Sequence, residues 1–210
     1  MTLERKDGKT TICDLPNFGY VIRRIGDKKF LELQKIVNDC LMQNAIDPKV
    51  TGLTDVGVAK QFKIPQVTSI IGPIVDELIE TYGKHYDYIE SYKHLNEKGK
   101  KLTLATPWLN VQSKNEYIPN HTHDGIFSYV VWISVPILPD ELEKRPYTGN
   151  FDITYPTVIG GLKSHKILVQ KDNEGGIILF PAMLQHCVYP FFEGDGKRLS
   201  ISGNVILQNA

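Results

Sequence analysis

Cysteine is scarce in this chain. Cys13, Cys40 and Cys187 are the whole set, far apart and without a Cys-x-x-Cys pair. That excludes a disulfide framework and points to a reducing setting, where each thiol serves as a small core residue. An excess of basic charge is also missing, since 24 Lys and Arg are balanced by 24 Asp and Glu. A generic binder of nucleic acid or anionic membrane needs such an excess to collect phosphates. No run approaches the ~18 apolar residues of a membrane span. The opening residues, Met1-Thr2-Leu3-Glu4-Arg5-Lys6-Asp7, are charged and lack the apolar heart of a signal peptide. The expectation is a cytoplasmic protein. What the chain does have is enough apolar material, 41% of 210 residues, to bury a sizeable core and stay clear of disorder. Its length fits one domain over residues 1–210.

Character changes near residue 100. The first part, 1–100, reads as helical support. β-rich runs at Thr10 to Leu15 and Tyr20 to Ile25 flank the turn signal Pro16-Asn17. Asp27 is placed to cap a helix from about Lys28 to Gln43, whose Phe30, Leu33, Ile36, Val37, Cys40 and Leu41 fall at helical spacing. Asn44 to Pro65 reads as a loop. A second helix is expected from Ser69 to about Leu95, with Ile70, Ile71, Ile74, Val75, Leu78, Ile79 and Tyr82 on one face and Pro73 in the first turn. His85 and His94 on it are ordinary helix histidines and receive no role.

The second part, 101–210, reads as a catalytic core of short strands. They cover Leu102 to Gln112, Phe127 to Val135, Phe151 to Tyr155, His165 to Gln170, Gly176 to Phe180, His186 to Phe191 and Arg198 to Leu207, separated by Gly, Asn and Asp turns. Many short strands at close spacing predict a sandwich, jelly roll or barrel. Pro136 to Asn150 is the longest irregular piece and reads as a substrate lid, with Arg145 and Tyr147 as substrate contacts.

Two stretches carry chemistry. In a strand, residues i and i+2 share a face, so His121 and His123 of Asn120-His121-Thr122-His123-Asp124-Gly125 project together. Paired imidazoles start a metal site, although the spacing by itself is common on surfaces. Downstream come His186 and then Arg198-Leu199-Ser200-Ile201-Ser202. Arg198 and Ser200 share a face of an otherwise apolar strand, which is costly unless an anion meets them. A guanidinium binds a carboxylate through two parallel hydrogen bonds, and a neighbouring hydroxyl adds a third. Trp108, Asn110 and Gln112 share a face on the preceding strand, and Asn110 or Gln112 is placed to reach such an anion.

The ordered set Trp108-Leu109-Asn110-Val111-Gln112, His121-Thr122-His123-Asp124-Gly125, Phe127 to Trp132, Gly176 to Pro181, His186 and Arg198-Leu199-Ser200 resembles the Fe(II)- and 2-oxoglutarate-dependent dioxygenases, specifically a small bacterial and phage group. The resemblance spans about residues 104 to 207. It implies a mainly β fold, a double-stranded β-helix or jelly roll, with the N-terminal helices packed on one outer sheet. It implies Fe(II), 2-oxoglutarate as cosubstrate and O2, with release of succinate and CO2 and hydroxylation of a substrate. The 2-oxoglutarate side-chain carboxylate would sit against Arg198 and Ser200.

One departure matters. The superfamily places an acid at the i+2 position, where this chain has His123. Two ligand sets compete: His121, His123 and His186, or a set in which a local bulge re-aims Asp124 toward the metal. The three-histidine set needs no distortion. It would leave the site one charge more positive, with Asp124 orienting an imidazole. Rival readings are a cupin-type or zinc metalloprotein of the same fold, or a non-catalytic jelly-roll binding module. A cupin would carry Glu where Phe127 or Ser128 stands, and zinc hydrolysis would leave Arg198 and Ser200 idle. A small-molecule, amino-acid or peptide substrate is expected, without nucleic acid or membrane. The substrate and the oligomeric state are not readable.

Overall fold

The computed structural model describes residues 18–46, 59–86, 99–157 and 159–209. Eleven strands and three α-helices are set among them. The strands form two sheets. The larger has the order β1 (Val21–Arg24), β9 (Gly176–Pro181), β6 (Phe127–Ser134), β11 (Arg198–Asn209), β4 (Trp108–Gln112) and β2 (Lys60–Lys63), with β3 (Lys100–Leu104) also on β11. The smaller has the order β5 (Ile118–His121), β10 (Gln185–Val188), β7 (Phe151–Pro156) and β8 (Leu162–Ile167). Their pairings are antiparallel throughout. This is the expected two-sheet β architecture.

Alternation along the strands divides the apolar residues between two cores. On β11, Leu199, Ile201 and Val205 face the helices, as do Phe127, Tyr129, Val131 and Ile133 on β6. They pack with Leu33 and Val37 of helix α1 (Asp27–Ile46) and Ile70, Ile71, Ile74 and Leu78 of helix α2 (Thr68–Tyr86). The second core lies between the sheets and holds Val130, Trp132, Phe151, Ile153, Ile178 and Phe180. Neither long helix is apolar enough to cross a membrane among the described residues.

Several expectations shift. The run Leu102 to Gln112 is two strands, β3 and β4, broken at Ala105-Thr106-Pro107, because proline cannot continue the ladder. Lys60–Lys63, read as loop, pairs with β4 as an edge strand; one apolar residue, Phe62, gives no alternation to detect. β5 also went unread, since Ile-Pro-Asn-His lacks a strand pattern. Pro73 stands inside α2 and not in its first turn, because the helix starts at Thr68 after a 3-10 turn at Pro65–Val67. The strand expected from His165 is earlier, at Leu162–Ile167. Thr10 to Leu15, His94, Cys13 and the end of the second helix lie outside the described residues.

The segment Pro136 to Asn150 is not a free lid. It holds helix α3 (Pro139–Lys144), whose Glu141 is fully buried. The Glu141 carboxylate accepts the backbone N–H of Phe192 at 2.6 Å and of Glu193 at 3.0 Å. The Gly149 N–H donates to the Pro190 carbonyl at 2.9 Å. Gly149 has φ of 61°, the left-handed region that favours glycine, and a β-carbon there would also push the Ile137 side chain aside. The segment is strapped to residues 190–193.

Candidate metal and anion site

His121 closes β5 and is paired with His186 of β10 in the antiparallel register. Facing residues of such a pair project from the same side of the sheet. His123 lies just past the strand, where its backbone N–H donates to the Ala182 carbonyl at 2.9 Å. The three imidazoles converge, each presenting a ring nitrogen within 4.8 Å of the others. Asp124 is exposed and contributes no atom to this cluster.

Backbone carbonyls fix the orientation of two rings. A carbonyl only accepts, so His121 Nδ1–H donates to Pro119 at 2.7 Å and His186 Nδ1–H to Leu184 at 2.8 Å. Each neutral ring then turns the lone pair of Nε2 to the cluster, the arrangement that outer-shell acceptors impose on metal-binding histidines. The Nε2 atoms of His121 and His123 are 3.2 Å apart. Two nitrogens each about 2.1 Å from a shared ion at right angles stand about 3.0 Å apart, so the spacing fits a transition metal. Phe151 stacks on His186 and Phe180 meets it edge-on, at 5.3 and 4.8 Å between ring centroids. Burial, reinforced by the neighbouring His121, pushes the His123 imidazole down to about 4, with Asp124 opposing. Burial is also the main cause at His186, lowered to about 3 despite the Leu184 carbonyl, with His121 and His123 adding to it. Both rings are therefore neutral at neutral pH.

The cleft between the sheets joins these histidines to Arg198, Ser200, Asn110 and Gln112. Arg198 is 3% exposed. Its Nη1–H donates to the Gly149 carbonyl at 2.7 Å, and among the described residues no carboxylate forms an ion pair with it. Burial lowers its pKa to about 10, which leaves it charged at neutral pH. Among the described residues, no acid lines the cleft. A buried guanidinium without a counter-charge is the feature that fits an anionic ligand.

A relay sets the serines beside it. Gln61 on β2 donates to Asn110 Oδ1 at 3.0 Å, which leaves the Asn110 amide group to donate to Ser202 Oγ at 2.9 Å and Ser200 Oγ at 3.3 Å. Each hydroxyl is thereby used as an acceptor, and its own proton stays free to donate into the cleft. Gln112 is spent differently, donating to the carbonyls of Glu116 and Tyr189. Gln61 and Trp132 line the cleft and were missed in the sequence. Gln61 lies in a segment read as loop, and an aromatic in a strand looks like core. Tyr129 packs in the helix-side core and also lines the cleft.

Arg145 and Tyr147 do not line the cleft. Arg145 pairs with Glu193 at 2.7 Å and its guanidinium lies over Phe192. Tyr147 packs against Tyr189 and under Lys166.

Residues 106–204 match the family model described as a putative 2OG-Fe(II) oxygenase. No curated protein matches the sequence. Among solved structures, a prolyl hydroxylase from Trichoplax adhaerens, in complex with a hypoxia inducible factor peptide fragment, is 14% identical with a TM-score of 0.59, over 90% of this chain and 83% of that one. A viral collagen prolyl hydroxylase from Paramecium Bursaria Chlorella virus-1, solved with 2OG, is 12% identical with a TM-score of 0.54, over 89% and 94%. A carbocyclase from nogalamycin biosynthesis, 9% identical with a TM-score of 0.57, covers 90% and 79%. At these identities the structural likeness is one of fold, a jelly-roll core, while the matched segment carries both the histidines and Arg198. Over residues 106–204, just under half of its length, the chain is similar to the 2-oxoglutarate- and Fe(II)-dependent oxygenases.

Proposed function

We propose that His121, His123 and His186 hold the Fe(II) and that Arg198 with Ser200 holds the side-chain carboxylate of 2-oxoglutarate. The observation that carries this reading is one cleft holding three convergent imidazoles and a buried guanidinium with no acid partner. Once bound, the metal and the keto acid supply the oxidising chemistry with O2. The chain supplies the rest. The carbonyls of Pro119 and Leu184 keep two imidazoles in the ligating tautomer. Asn110 turns the serine protons toward the anion, and Phe151 and Phe180 keep water from His186. With three neutral ligands, the metal keeps its full double charge beside Arg198, which suits a dianionic cosubstrate.

The substrate falls in the class of peptides or small molecules, as the named neighbours act on both, and C–H hydroxylation is the expected outcome. The free thiol of Cys187 suits a reducing compartment such as the cytoplasm. The deciding experiment adds Fe(II) and 2-oxoglutarate to the metal-free enzyme without oxygen. A visible charge-transfer band that needs both components is expected. Tight zinc binding with no such band would sink the reading.

A further inference from the structure

Trp132 lies on the cleft-facing side of β6, is 1% exposed, and pairs with Ser200 of β11. Its indole Nε1–H is buried and has no hydrogen-bond partner. A native interior pairs most such donors, and an orphan requires an explanation. The ring is not free to turn and find one. Its Cε3 and Cζ3 edge is packed at Gly176, where an added β-carbon would meet them at 3.0 and 3.3 Å. Nε1 lies on the opposite edge of an indole, so this packing turns the N–H away from Gly176. Trp132 lines the same cleft as Arg198 and Ser200.

We infer that the Trp132 indole N–H is a third donor of the anion site, binding the carboxylate that Arg198 and Ser200 bind; this rests on the cosubstrate site proposed above. The acceptor capacity is sufficient, because a carboxylate has about four lone-pair positions. Facing residues of adjacent strands stand about 5 Å apart, so Trp132 and Ser200 reach one small group together. The indole is a donor only, never an acceptor. It therefore rewards an acceptor-only carboxylate over an amide or alcohol of the same shape. Trp132 is a positioning residue for the cosubstrate, and its benzo edge together with the Asn173 carbonyl, which an added β-carbon would meet at 2.9 Å, leaves no room for a side chain at Gly176.

The test uses full-length protein with 15N-labelled tryptophan, loaded with Zn(II) as a diamagnetic ion, and titrates 2-oxoglutarate. The chain has two tryptophans, Trp108 and Trp132, so two indole N–H signals are followed. Trp132→Phe identifies its signal, and Trp108→Phe does so if the first variant fails to fold. The Trp132 N–H signal should move downfield on adding the keto acid, and Trp132→Phe should weaken its binding about tenfold, as for one hydrogen bond to a charged group. If Arg198→Leu loses binding while the Trp132 signal stays still and Trp132→Phe binds normally, this assignment is wrong and the cleft reading stands. If Arg198→Leu binds 2-oxoglutarate as before, the cleft reading falls, and this inference with it.

Discussion

The Arg198 guanidinium is held by the Gly149 carbonyl at 2.7 Å, so the strap from Pro136 to Asn150 helps to aim the proposed anion site. The site's charge comes from β11, but its aim is set by a segment about fifty residues earlier.

Removing the charge tests the site directly. Arg198→Leu keeps most of the side-chain volume and should raise the 2-oxoglutarate dissociation constant by about 30-fold or more. Truncating a buried charged contact costs about 2–5 kcal/mol. Isothermal titration on metal-loaded protein reads it, with circular dichroism confirming the fold. An unchanged constant would remove the carboxylate from Arg198.

Removing the strap's anchor should act at a distance. Glu141 accepts two backbone N–H groups while fully buried. Glu141→Ala leaves both donors unpaired, at about 1–3 kcal/mol each. Urea denaturation should show a clear loss of stability. Weaker 2-oxoglutarate binding should follow, because Gly149 loses its place. Stability falling without any change in affinity would mean that the strap and the guanidinium are independent.

The metal set can be tested one ligand at a time. His121→Ala, His123→Ala and His186→Ala should each sharply reduce bound iron, measured by metal analysis after anaerobic loading, while Asp124→Ala should retain it. Iron lost in Asp124→Ala and kept in His123→Ala would reverse the assignment.

Proton uptake gives an independent check. His123 and His186 have folded pKa values near 4 and 3, below the ordinary 6.5. Below pH 6.5 the unfolded chain binds protons at these rings and the folded chain does not. Metal-free stability should then be full above pH 6.5 and fall steadily as pH drops toward 4. A double His123→Ala, His186→Ala variant should show a shallower fall between pH 6.5 and 5, above the main carboxylate range. Parallel curves would show that these rings do not carry the dependence.

A relay mutation probes finer geometry. Gln61→Leu removes the hydrogen bond that orients the Asn110 amide. The 2-oxoglutarate dissociation constant should rise about threefold to tenfold, as expected for one indirect hydrogen bond. No change would show that Asn110 holds its orientation through the serines alone.

The histidines and Arg198-x-Ser200 were legible because strand periodicity puts i and i+2 on one face, whatever the distant partners are. That rule placed Arg198, Ser200 and Asn110 in one cleft. It put His121 beside His123 even though β5 ends at His121, since the Ala182 carbonyl holds the following turn. Gln61 could not be read, because an edge strand with one apolar residue leaves no pattern. The position of Arg145 and Tyr147 outside the cleft has a definite source. Proline and charge suggested a solvated loop, but the decisive residue was Glu141, a carboxylate whose two partners are backbone groups from 192–193. Such a clasp has no signature in spacing.

The two halves of the ligand site stand on different sheets. His121 and His186 belong to the four-stranded sheet, Arg198 and Ser200 to the larger one. Under the proposed site assignment, a keto acid touching both would act as a strut across the sandwich. With a cosubstrate bound at the proposed site, the seam between the sheets, packed by the inter-sheet core around Trp132, Phe151 and Phe180, would become a braced joint.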